Sequence, residues 1–129
     1  MTTGGQAQRT RGEVAAEISN GIVKLFRESY GRGPVKAKTF LFDHYSLTVL
    51  EDTLTTAEAT LVKAGRKEMV RDFRIAFQTE MAVEFHHIVE QATGRKVVTY
   101  QSQIAFDPDY CFEAFVLDGP PAVADEPGG

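Results

Sequence analysis

The feature that most constrains this chain is a helical stretch set between two β-rich hairpins. Residues 66–93 carry apolar side chains at three- and four-residue steps, whereas 36–50 and 96–117 are rich in β-branched and aromatic residues. Asp43 and His44 are turn formers that split the first hairpin into strands over 36–42 and 45–50. Phe106-Asp107-Pro108-Asp109 splits the second into 96–105 and 110–117.

The helices announce their own ends. Thr10-Arg11-Gly12-Glu13 has the capping-box pattern, and Val14, Ile18, Ile22, Leu25 and Phe26 follow it as one apolar stripe until Gly31 and Pro34. Thr55-Thr56-Ala57-Glu58 is a second capping box opening a short helix with Leu61 and Val62, which Gly65 ends or bends. Arg66 then begins a long helix that stops at Gly94. The order α-β-β-α-α-β-β predicts an α+β two-layer sandwich, an antiparallel sheet with helices packed on one face. Residues 1–9 and 119–129 are expected to be disordered tails around a single domain at 10–118.

Composition narrows the function classes. A chain of 129 residues, 43% hydrophobic, suits one core. Its 14 basic and 18 acidic residues leave a net charge of −4, which offers no global field for nucleic acid. Cys111 is the sole cysteine, so no internal disulfide forms. With no signal peptide and no apolar run of ~18 residues, the expectation is a cytoplasmic protein that reaches the inner face of a membrane through a partner.

Along the long helix, Val70, Phe73, Phe77, Met81, Phe85, Ile88 and Ala92 make the expected core stripe. Ile75, Ala82, His86 and Val89 form a narrower second seam, read as a homodimer interface. Arg66, Lys67, Arg71 and Arg74 precede Glu80, Glu84 and Glu90, the reverse of what the helix dipole favours, and an antiparallel mate would set basic half against acidic half.

Candidate chemistry is sparse. Glu80, Glu84 and His87 share a helix face, and Glu84 with His87 has the Glu-x-x-His spacing of carboxylate metal bundles, but the second such pair is missing. The expectation is therefore a solvated edge, with no metal and no cofactor. Cys111, beside Phe112 in an apolar strand, reads as a packed small hydrophobe. Gly31-Arg32-Gly33-Pro34 before Lys36 and Lys38, and Gly94-Arg95-Lys96, pair glycines with cations in a way that can cradle an anion. With Arg66, Lys67, Arg71 and Arg74, these cations would form one anion- or partner-binding surface if the fold gathers them. No residue is read as catalytic.

The segments 31–39, 54–58, 65–77 and 93–109, taken together, resemble the MpsC family of small bacterial domains. The likeness spans about residues 12–117. It implies association with a membrane system that moves cations and accumulates inorganic carbon. The other components of that system are a membrane subunit similar to a proton-pumping dehydrogenase subunit and a large zinc-containing partner. No catalytic residues come with it. The reading is a non-enzymatic accessory protein working through protein contacts as a homodimer, with a small-anion or nucleotide sensor as the alternative and a metal-dependent enzyme third.

Overall fold

The computed structural model describes residues 9–123. Its elements are α1 (Arg11–Tyr30), β1 (Lys36–Phe42), β2 (Tyr45–Glu51), α2 (Thr56–Lys63), α3 (Lys67–Glu80), α4 (Ala82–Thr93), β3 (Val97–Ala105) and β4 (Tyr110–Leu117). Both capping boxes are made. Glu13 N–H donates to Thr10 Oγ1 at 3.1 Å while Thr10 N–H donates to Glu13 Oε1 at 2.8 Å, and Thr55 with Glu58 repeats the exchange at 3.1 and 2.9 Å. Gly31 and Gly94 close α1 and α4 in the left-handed conformation, as expected.

The four strands form one antiparallel sheet in the order β1-β2-β4-β3. Thr39 stands opposite Thr48, Leu47 opposite Ala114, and Gln101 opposite the same Ala114 from the other side. Alternation along each strand then separates two faces. The inner face presents Thr39, Ser46, Thr48, Leu50, Cys111, Glu113, Phe115 and Leu117, all buried. Against it lie Val14, Ile18, Ile22 and Phe26 of α1 with Val70, Phe85, Val89 and Ala92 of α3 and α4, making one core.

The predicted α+β sandwich is the fold observed, with one difference in the long helix. It breaks at Met81 into α3 and α4, and Met81 gives the start of α4 no side-chain cap. Phe73, expected in the core, is 52% exposed: α3 buries the expected Val70 but turns Arg74 and Gln78 inward with it, and Phe73, ~100° round the helix from Arg74, faces out. The expected tails lie largely outside the described residues, at 1–8 and 124–129. Within the described part, Arg9 donates to the Ala92 carbonyl at 2.7 Å, Pro121 is buried, and Ala122 N–H donates to the Thr93 carbonyl at 2.9 Å.

Candidate interaction surface and buried polar cluster

The outer face of the sheet carries Lys36, Lys38, Phe40 and Phe42 from β1, and Tyr45, Leu47 and Val49 from β2. β4 adds Tyr110, Phe112, Ala114 and Val116. These side chains are exposed or half-buried, because the helices pack on the other side. Phe40 and Phe42 stack at 6.2 Å and Tyr110 and Phe112 at 6.0 Å, each pair nearly parallel. Lys38 Nζ sits 5.6 Å from the Phe40 ring centre. Phe40, Phe42 and Tyr45 are 37%, 55% and 45% exposed. On side chains of ~150–250 Å² that leaves roughly 270 Å² to water from three residues alone. With the neighbouring half-buried aliphatics, the patch reaches the few hundred Å² of the largest apolar patch on a typical monomer, a size that is often functional.

Between the sheet and α3 lies a buried polar cluster. Arg74, fully buried, donates from Nε to Glu58 Oε2 and from Nη2 to Glu58 Oε1, both at 2.7 Å, and from Nη2 to the Thr53 carbonyl at 2.8 Å. Its guanidinium also lies 4.2 Å from the Tyr30 ring centre. Burial opposes the charge on Glu58, but hydrogen bonds from Arg74 and Thr55 outweigh it and hold the carboxyl below its ordinary value. Cys111 faces Thr53 at 3.3 Å, and burial pushes its thiol up to about 12. It is an inert packed thiol.

Glu113 is the second buried carboxyl. Tyr100 Oη donates to its Oε1 at 2.6 Å, Ser102 Oγ to its Oε2 at 3.2 Å, and Gln78 Nε2 to Oε2 at 3.5 Å. Desolvation dominates these bonds and the Arg74 charge, and the carboxyl is pushed up to about 7. Burial also raises the Tyr100 phenol, with the neighbouring Glu113 adding to the rise.

The cations expected to form one surface are divided. Arg32 is tied to the Leu54 and Asp52 carbonyls at 2.7 and 3.0 Å, and Arg71 reaches Glu68 at 2.9 Å. Arg74 is a core residue and cannot meet a ligand at the surface. Arg95 sits before β3, whose first residue Val97 pairs with Leu117, whereas Lys36 pairs with Glu51 and Glu51 with Tyr110 at the opposite end of the sheet. Arg66 caps α3 through its backbone only. Lys36 and Lys38 alone join the outer apolar face.

Of the expected dimer seam, Ile75, Ala82 and His86 line one groove along β3, but Val89 points into the core with none of its surface exposed. Glu84 and His87 border a different groove between α1 and α4, and Glu80 lies before the Met81 break that separates it from them. Among the described residues no three His, Cys, Asp or Glu converge as a metal site requires. Sequence reasoning missed Glu58, Glu113, Tyr100 and the outer-face aromatics.

The architecture is that of a small two-layer α+β domain in which, among the described residues, one sheet face and two strand edges are left open. The chain belongs to the MpsC family, described as the Na+-translocating membrane potential-generating system, which it matches over residues 10–119. It is 24% identical to the uncharacterized protein YbcI of Bacillus subtilis strain 168, an alignment covering 73% of this chain and 89% of that one. No solved structure matches. Among the described residues no helix is long and apolar enough to cross a membrane.

Proposed function

We propose that this chain is a non-enzymatic accessory component of a Na+-translocating system, held to a subunit of that system through the outer face of its sheet. The apolar face left uncovered by the described residues carries the reading: a domain of this size gains nothing in its own stability by leaving Phe40, Phe42 and Tyr45 to water beside a half-buried Phe112. A partner of the required chemistry presents an apolar patch with an acidic group at one margin, where Lys38 stands beside a Lys36 that already pairs with Glu51 at 4.0 Å. Family membership supplies the system, and the absence of a spanning helix among the described residues fits a component docked on the membrane-embedded subunits at their cytoplasmic side.

Co-expression with the membrane subunits of the system tests it. Wild-type protein is expected to co-purify with them, and Phe42→Glu with Phe112→Glu is expected to abolish co-purification while the circular dichroism spectrum is unchanged. A folded double variant that still co-purifies at the wild-type level would overturn the reading.

A further inference from the structure

The two edges of the sheet are not alike. A free edge presents unpaired N–H and C=O groups, and natural sheets guard such edges with lysine, proline or shortness. β1 is guarded: it is preceded by Pro34 and carries Lys36 and Lys38 over seven residues. β3 runs for nine residues, VVTYQSQIA, with no charge, no proline and no glycine; its one irregularity is a register shift at Val98, and from Thr99 to Ala105 it pairs with β4 without interruption. The groove of about 470 Å³ beside it is bounded by α3, α4 and β3, and none of its ten lining residues is Asp, Glu, Lys or Arg. Ile75 and Val98, 54% and 64% exposed, stand on its two lips.

We propose that β3 pairs antiparallel with β3 of a second copy about a two-fold axis at Gln101, extending the sheet to eight strands and closing the groove. The register follows from symmetry. Gln101 faces its own copy, Tyr100 faces Ser102, and Thr99 faces Gln103, so amides and hydroxyls meet across the seam and no like charges are opposed. Pairing β1 with itself would instead crowd Lys36 and Lys38. The uncharged groove also explains the choice of occupant, because a partner selected by charge has nothing to hold there, whereas two copies of net charge −4 meet at a neutral edge. Ile75, Ala82 and His86 then face the corresponding residues of the mate over the joined strands. The inference needs only the purified chain and stands apart from the transport reading.

Cysteine cross-linking reads the register directly. Opposed residues in an antiparallel pair have Cα atoms about 4.5 or 5.5 Å apart, both within the ~4.4–6.8 Å that a disulfide spans. Gln101→Cys is therefore expected to give a disulfide dimer under mild oxidation. Gln103→Cys, separated from its copy by four residue steps of ~3.4 Å, is expected to give none. Native Cys111 is buried and serves as the unreactive control. Light scattering at tens of micromolar should show a wild-type dimer and, for Gln101→Lys with an unchanged circular dichroism spectrum, a monomer. A monomeric wild type overturns the proposal and leaves the edge to a strand from another protein. A wild-type dimer in which Gln103→Cys links as readily as Gln101→Cys, or a folded Gln101→Lys that stays dimeric, overturns it as well.

Discussion

Arg74 on α3 and Glu58 on α2 form a bidentate pair, two hydrogen bonds of 2.7 Å between side chains that are 1% and 8% exposed. Glu58 has two tasks, since the same carboxylate closes the capping box of α2. Removing one partner of a buried pair strands the other charge, at a cost of about 3–5 kcal/mol. Arg74→Met is expected to lose that much in urea denaturation. Adding Glu58→Gln, which keeps the cap and removes the stranded charge, should recover part of the loss. A double variant less stable than Arg74→Met alone would mean the pair is not what ties α2 to the core.

Glu113 makes stability depend on pH in the opposite sense to Glu58. Its folded value of about 7 lies above the ordinary 4.5, so the native state holds the proton more tightly than the unfolded chain. Its contribution is most favourable below about 4.5, declines as pH rises through the window, and is fully lost above about 7. A shift of this size corresponds to about 3 kcal/mol. Glu113→Gln is expected to stabilise the protein at pH 8 relative to wild type, with the difference shrinking toward pH 5. Denaturation curves of both proteins at the two pH values decide it, since every other group is common to both.

The hairpins, the two capping boxes and the glycine stops were legible because each is written in residues adjacent along the chain. The polar cluster was not. α3 buries Val70, Arg74 and Gln78, and a search for apolar periodicity assigns Arg74 to solvent and draws Phe73 inward. Glu113 was hidden for a related reason: Cys111 and Phe115 on its own parity and Phe112 and Ala114 on the other are all nonpolar, so alternation in β4 does not say which face is inside. The divided cations depended on strand order, which pairing within hairpins alone does not determine.

The two faces of the sheet should differ sharply in what they contribute to folding. Phe115 is 1% exposed and Phe42 is 55% exposed. Phe115→Ala removes a core side chain and is expected to cost about 3–5 kcal/mol. Phe42→Ser is expected to cost under ~1 kcal/mol, because little of what it buries is given up. Comparable losses from the two would show that the outer face is covered within the chain.

Gly21 of α1 packs directly against Ile88 of α4. A Cβ placed there would lie 2.7 Å from Ile88 Cγ2 and 3.4 Å from Cγ1. Two effects then compete in Gly21→Ala. Helix propensity favours alanine by ~0.8–1.0 kcal/mol in a helix interior. Overpacking opposes it by ~1–3 kcal/mol, and Ile88 is branched at Cβ, so its methyl group cannot swing away without leaving its preferred rotamer. The clash should prevail, and Gly21→Ala is expected to lower stability by about 1 kcal/mol. In an Ile88→Ala background the obstruction is gone and only propensity remains, so the same substitution should raise stability by a similar amount. Thermal and urea unfolding of the four proteins in this cycle give the sign directly. A Gly21→Ala that stabilises the wild-type background would show that the two helices have room to separate.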